Sequence, residues 1–293
     1  MAVVVGIALW VIGSAHGTRT ASTRIPAILR GMAVVAEQRA WWAQKLVAYD
    51  VDPETFLVHA RVAARLVPDV SGTSALAGVP RMPRDWQWPA WREQALKYMA
   101  RVDLGSVASV LDVDARHGLP AVGTLHLFAH ATGDGSGPED AGAFAAFIAD
   151  GDTLFPTPRV VHPDLGEYDI EYPERKMSLA AELVLPSFFA DELPEFPDND
   201  LDEAYWDLFD EFNDTFFAGA PKHRVCGLPD IVQNPMEPDC APVADDWRLL
   251  AQLDTDEDIG FFWGDTGCMY WWLRRPDFSS GRVERHCGFV QTT

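Results

Sequence analysis

Carboxylates at short spacing carry most of the chemistry this chain could perform. Asp254, Asp256, Asp258 and Asp265 fall within one twelve-residue stretch, the length of a calcium loop. Such a loop needs glycine at its sixth place and a bidentate glutamate at its last, where this chain has Ile259 and Asp265. Because Phe261-Phe262-Trp263 reads as strand, an acidic turn between two strands is the better expectation. Asp103 closes a similar strand, and two carboxylates in one cleft could share a proton or a cation, each raising the other's pKa. The ligand-binding candidates for such a seam are Arg101, Asp103, Gln252, Asp254, Trp263 and Asp265. The competing reading for the aspartates is turn capping of backbone N–H groups. His223, Arg224, Asp230 and Gln233 form a second polar cluster, for which turn chemistry outranks a site.

Other reactive residues point away from common catalysis. His126 and His130 have the spacing of a helical metal pair, but Gly123-Thr124-Leu125-His126-Leu127-Phe128 alternates as a strand. Four residues of strand span about 13 Å, too far for both imidazoles to reach one metal. They are expected on a solvated or seam-lining face. The four cysteines, Cys226, Cys240, Cys268 and Cys287, form no Cys-x-x-Cys pair. His223 with Cys226 and His286 with Cys287 do not have the knuckle spacing of structural zinc, so buried thiols are expected. The chain has no Gly-x-Ser-x-Gly elbow, phosphate loop, dinucleotide fingerprint or zinc helix. No catalytic residue is assigned, no metal or cofactor is expected, and an enzyme is the less favoured class.

Charge says more about partners. The net charge is −21, which disfavours nucleic acid and anionic membranes and favours a basic protein partner. Residues 177–221 contain no Lys or Arg but twelve acids, interleaved with aromatics. A solvated acidic face is the plain reading, and a docking face for a cationic protein the sharper one. The docking candidates are Asp198, Asp200, Asp202, Glu203, Trp206, Asp207 and Asp210. Residues 201–212 predict an amphipathic helix with Leu201, Tyr205, Leu208, Phe209 and Phe212 inward.

The elements that position these groups repeat. Lys97-Tyr98-Met99-Ala100-Arg101-Val102-Asp103 is echoed by Arg248-Leu249-Leu250-Ala251-Gln252-Leu253-Asp254. Gly78-Val79-Pro80 and Gly227-Leu228-Pro229 precede the two copies, and Gly123–Phe128 and Gly267–Trp272 follow them. An α+β fold is expected, with two pseudo-repeated halves of coiled, mainly antiparallel sheet and N-terminal helices. A helix from Met32 to Tyr49 is followed by one opened by Asp52-Pro53-Glu54, carrying Phe56, Leu57, Ala60, Ala63 and Ala64 and stopping before Pro68. Asp134 to Pro138 reads as a loop, Phe144 to Ile148 and Val160-Val161 as short strands. The expected organisation is an apolar and basic extension over 1–31, with Met32 as an alternative start, a helical segment over 32–67, and the repeated body over 68–293. The mature body is expected in the cytoplasm.

Over about residues 68–293 the chain resembles the YwqG-like bacterial family, a domain of unknown function. The resemblance rests on Ser74-Ala75-Leu76-Ala77-Gly78-Val79-Pro80, on Trp88-Pro89 before the strand of residues 96–104, and on His223 to Gln233. It extends through Leu249 to Asp256 and Gly260 to Gly267. Ala77 stands where the family has the first glycine of a pair, and Arg101 where it has glutamine. The resemblance implies coiled, mainly antiparallel sheets and brings no reaction. Because some relatives lie near toxin and immunity genes, it also brings an antidote role into view. That is an association, not a mechanism.

Overall fold

The computed structural model describes residues 27–130, 142–150, 154–159, 171–196, 200–236, 240 and 246–293. The elements run α1 (Ala27–Val47), α2 (Pro53–Leu57), β1 (Arg61–Pro68), β2 (Ser74–Leu76), β3 (Arg81–Met82), β4 (Ala90–Trp91), β5 (Gln94–Ala95) and β6 (Lys97–Asp103). Then come α3 (Leu104–Val110), β7 (Thr124–Ala129), β8 (Phe144–Ala149), β9 (Phe155–Pro156), β10 (Arg175–Val184) and α4 (Leu201–Phe217). The last are β11 (Arg224–Val225), β12 (Trp247–Asp254), β13 (Cys268–Arg274), α5 (Arg275–Ser280) and β14 (Cys287–Gln291).

One ten-stranded sheet dominates, in the order β14-β13-β12-β11-β1-β10-β2-β6-β7-β8, with its named pairings antiparallel. It curls until its two end strands nearly meet. Gly288 of β14 lies so close to β8 that a Cβ there would fall 2.2 Å from Phe144 Cγ, so only glycine admits this approach. The concave side holds the main core, including Met99, Leu125, Leu127, Trp271 and Phe278, each buried. β6 and β12 each break register once, between Tyr98 and Ala100 and between Leu249 and Ala251. The turn after β2 uses Ala77 at φ 53° and Gly78 at φ 82°, and the turn after β11 uses Cys226 at φ 59° and Gly227 at φ 78°. Ala77 therefore occupies left-handed backbone without the freedom a glycine would have there.

The local signals explain several elements. Asp52 caps α2 by accepting the Glu54 N–H at 3.1 Å, with Pro53 in the first turn. Along α4, Leu201, Tyr205, Leu208 and Phe212 are buried, and the intervening acids face outward. That stripe packs with Trp42, Leu46, Phe56 and Leu185 as a second cluster. α1 is fixed to β10 by Gln38, whose Nε2 donates to Ala181 O at 3.3 Å and whose Oε1 accepts the Leu183 N–H at 2.7 Å.

Three expectations need correction. The helix opened by Asp52 ends at Leu57, and residues 61–68 form β1, paired on one side with β10 and on the other with β11. Two neighbouring strands satisfy its backbone groups, which outweighs the helix preference of Ala63 and Ala64. His126 and His130 are buried rather than solvated, at 1% and 7% exposure, against Tyr98 and Gln94. Glu182 is no part of a solvated acidic face. It is buried on β10. The loop at Asp134 to Pro138, the strand at Val160-Val161 and Asp198 lie outside the described residues.

Candidate functional site

Cross-strand register sets a row of polar side chains on the convex face. Arg65 of β1 lies directly opposite Arg224 of β11, Arg224 opposite Gln252 of β12, and Gln252 opposite Tyr270 of β13. Arg65 Nη1 donates to Glu182 Oε1 at 2.6 Å, and its Nη2 to Asn213 Oδ1 at 2.7 Å and Ala220 O at 2.6 Å. Arg224 Nη2 donates to Asp230 Oδ2 at 2.9 Å and reaches Glu182 Oε1 at 3.3 Å, while Nη1 donates to Leu228 O at 3.0 Å. Gln252 Nε2 donates to Asp230 Oδ2 at 3.1 Å and Lys222 O at 2.9 Å, and its Oε1 accepts the Asp230 N–H at 2.9 Å. The Tyr270 hydroxyl donates to Asp230 O.

Two arginines and two carboxylates make this network neutral, and Asp230 is held at several points. Burial opposes its negative charge, but Arg224, Lys222 and the Gln252 hydrogen bond outweigh burial and hold its carboxyl below the usual range. Burial likewise opposes the charge of Arg224, which Asp230 and Glu182 more than offset.

His223 is engaged at both nitrogens. The Asp254 N–H donates to Nδ1 at 3.0 Å, which places the ring proton on Nε2, 3.2 Å from Asp256 Oδ2. Burial would raise the Asp256 carboxyl, but His223 and Arg175 outweigh it and lower it. The acidic turn is thus pinned by a histidine and an arginine, with Arg175 also 2.9 Å from Asp258.

In front of the network opens a cleft of about 790 Å³. Its floor includes Asp230, Gln252 and Asp254; α4 contributes Trp206 and Asp210 to its wall; the 255–266 segment contributes Glu257, Phe262 and Asp265. Trp206 is 46% exposed and Phe262 67% exposed. Asp254 Oδ2 accepts the Lys222 N–H at 2.7 Å, and Lys222 Nζ stands 3.8 Å from Asp210. No hydrogen bond or ion pair joins the carboxylates of Glu257 and Asp265 to any described residue. The Cys268 thiol, also in the lining, is held protonated by burial and by Asp254 and Asp230, and it donates to Leu253 O at 3.4 Å. Excess negative charge beside exposed aromatic faces suits a cation.

The structure thus brings Gln252, Asp254 and Asp265 of the seam candidates together with Asp230 of the second cluster and Trp206 and Asp210 of the acidic region. Trp263 sits behind the wall, 5% exposed, donating Nε1–H to Asp254 O at 3.1 Å. Gln233 ties the rim to Thr292 O at 2.6 Å. Asp200, Asp202, Glu203 and Asp207 lie at the start of α4 or along it, outside the cleft lining. Arg101 and Asp103 belong to β6, with β2, β10, β1 and β11 intervening between it and β12. There Arg101 pairs with Glu174 at 2.8 Å, and Asp103 caps α3 by accepting the Ser106 N–H at 2.7 Å. Arg101 lies opposite His126 of β7, whose Nδ1 is 2.8 Å from the Tyr98 hydroxyl.

Sequence reasoning missed Arg65, Glu182, Lys222, Glu257 and Phe262. Arg65 and Glu182 each interrupt an apolar run, Val62 to Val67 in β1 and Leu179 to Val184 in β10, a signal that such a charge requires a buried partner. Among the described residues no three His, Cys, Asp or Glu side chains are arranged to hold a metal, and no helix is long and apolar enough to cross a membrane. No curated protein matches the chain. The family model for the domain of unknown function DUF1963 matches residues 74–287, well over half of the chain. The chain belongs to that family.

Proposed function

We propose that this protein is a non-catalytic binding module that captures a basic protein partner, with the acidic cleft receiving a lysine or arginine side chain. One observation carries the reading. Trp206 and Asp210 of the acidic-aromatic segment share a cleft with Asp254 at the end of β12 and with Glu257, Phe262 and Asp265 of the segment between β12 and β13. The excess carboxylates would steer a cationic partner, most strongly at low salt, and the two aromatic faces would grip it. Asp230 and Gln252 make a stiff floor, because the network behind them holds Asp230 Oδ2 and both polar atoms of the Gln252 side chain.

The outward acids Asp202, Glu203 and Asp207 extend the negative field along α4. Neutralisation of a basic toxin is one form this capture would take, in keeping with the YwqG-like resemblance. The matching register breaks of β6 and β12 and the paired left-handed turns support descent of the body from a duplicated unit. A second reading, a small cationic molecule as ligand, is favoured by the cleft volume, which is of small-ligand size.

The test uses the full chain and a nine-residue arginine peptide in titration calorimetry. Saturable binding that weakens with salt and falls at least tenfold in a Glu257→Gln/Asp265→Asn double variant is expected. Equal binding by the double variant would sink the cleft as the receptor. A response to agmatine as strong as that to the peptide would favour the small-molecule reading.

A further inference from the structure

The β12–β13 hairpin has two ends with opposite chemistry. Asp254 pairs with Cys268 at the cleft end, and Trp247 with Arg274 at the other, roughly 25 Å away along the strands. At this far end a cavity of about 440 Å³ is lined by Arg61, Arg248, Arg275 and His117, with Asp112 and Asp114 also in its wall. The arginines come from β1, β12 and the first residue of α5, so three separate elements aim cations at one space.

Their geometry is organised. Asp246 holds two of the guanidiniums, with Oδ1 2.6 Å from Arg248 Nη2 and Oδ2 3.7 Å from Arg275 Nη1. The Arg275 N–H donates to Asp246 O at 2.8 Å, which fixes this corner to the start of α5. Arg61 Nη1 is braced by the carbonyls of His59 and Ala60 at 3.1 and 2.9 Å. Asp112 commits Oδ1 to the N–H groups of Asp114 and Ala115 at 3.0 and 2.8 Å, so it caps its own turn. His117 reports the local field. Burial first, then Arg248 and Arg275, bring its pKa down to about 4, against the opposing pull of Asp246. The balance of charge felt there is positive, in a chain of net charge −21.

We propose that this cavity is an oxyanion site, taking a phosphate or carboxylate group between Arg248, Arg275 and Arg61 in place of Asp246. Asp246 acts as a resident counter-anion: it preorganises the arginines and is displaced by the ligand. Arg248 and Arg275 present planar donor pairs, the geometry that oxyanions bind best. This inference is independent of what the acidic cleft binds.

Inorganic phosphate is the probe, titrated into the full chain with the His117 ring resonances followed by NMR. Saturable binding should raise the His117 pKa, because a bound anion favours the imidazolium. An Arg248→Gln/Arg275→Gln double variant should weaken binding at least tenfold. Asp246→Asn should strengthen it several-fold, a gain that a folding defect cannot produce. Asp207→Asn makes the same charge change on α4 and should leave binding unaltered. Sulfate and acetate run in parallel, and a preference for the tetrahedral ions would identify the phosphoryl group as the ligand feature. Phosphate binding unchanged in both the arginine and Asp246 variants, or a His117 pKa that does not move, would overturn the proposal and leave an adventitious ion only.

Discussion

The convex face of the sheet carries two polar rows that differ in how their members are connected. On β11, β12 and β13, Arg224, Gln252 and Tyr270 stand side by side and converge on Asp230. On β2, β6 and β7, the residues in register are Ala75, Arg101 and His126. Here the polar groups pair two by two, Arg101 with Glu174 and Tyr98 with His126, under a cover that includes Trp86, Trp88 and Phe147. Each row leaves some buried atoms without a hydrogen bond among the described residues, Arg65 Nε, Arg224 Nε and Glu182 Oε2 in the first and His126 Nε2 in the second. The first row is continuous and charge-balanced, so it can hold an acid at the bottom of a cleft. The second is a local patch whose histidine must stay neutral. Connectivity, more than polarity, separates a platform for recognition from a buried wall.

The sharpest way to break this contrast is Arg224→Met. It leaves Glu182 and Asp230 buried without their shared cation, and a loss of about 3–5 kcal/mol is expected in denaturant unfolding. A cost below 1 kcal/mol would show that the row is no network.

The other row should reveal itself through pH. Burial, then Arg101, depresses the His126 pKa to about 4, whereas an unfolded histidine titrates near 6.5. Between those values the unfolded chain binds a proton that the native chain refuses, so stability falls as pH drops from about 6.5 to 4. For His126 the loss is up to about 3 kcal/mol. His126→Gln should reduce that slope in urea titrations across the window; His117 and His286, shifted in the same direction, supply the remainder. The lowered carboxyls of Asp230 and Asp256 contribute above the unfolded aspartate pKa and lose that contribution only at still lower pH.

Gln252→Leu tests the floor more gently. It removes both bonds to Asp230 and the one to Lys222 O, for an expected cost of about 1–3 kcal/mol, with weaker peptide capture. Smallest is Phe262→Ala, an exposed position. Stability should stay within about 0.5 kcal/mol while peptide affinity falls by about 0.5–1 kcal/mol, a few-fold in Kd. A large stability loss there would move Phe262 from the cleft wall into the framework.

How much of this was legible in the sequence depended on whether the signal was local. The Asp52-Pro53 cap, the inward stripe of α4 and the strands that close on Asp103 and Asp254 are written in neighbouring residues, and they formed as read. β1 was not legible, because Ala63 and Ala64 suit a helix and only the distant strands β10 and β11 make extended backbone preferable. Gln252, Asp254 and Asp265 could be picked out by type and position, but their company could not. Lys222, Glu257 and Phe262 join them through the packing of α4 beside the β12–β13 hairpin, information spread over some sixty residues. His223 could be grouped by sequence with Arg224, Asp230 and Gln233, but that its two nitrogens face Asp254 N and Asp256 is set by distant packing.

The central position of β1 has a consequence for how the molecule is made. Its partner β10 lies more than a hundred residues downstream, with Arg61 opposite Val184. β6, β7 and β8 follow one another in sequence, as do β12, β13 and β14, so each run can zip up with short loop closures. The seam between β1 and β10 cannot form until most of the chain has left the ribosome, and β11 and β12 are later still. On the ribosome the β6–β8 meander can form first, the β1–β10 seam next and the β12–β14 meander last, which gives a nascent chain whose open strand edges need shielding during synthesis, and refolding whose slow step should respond to changes along β1 and β10.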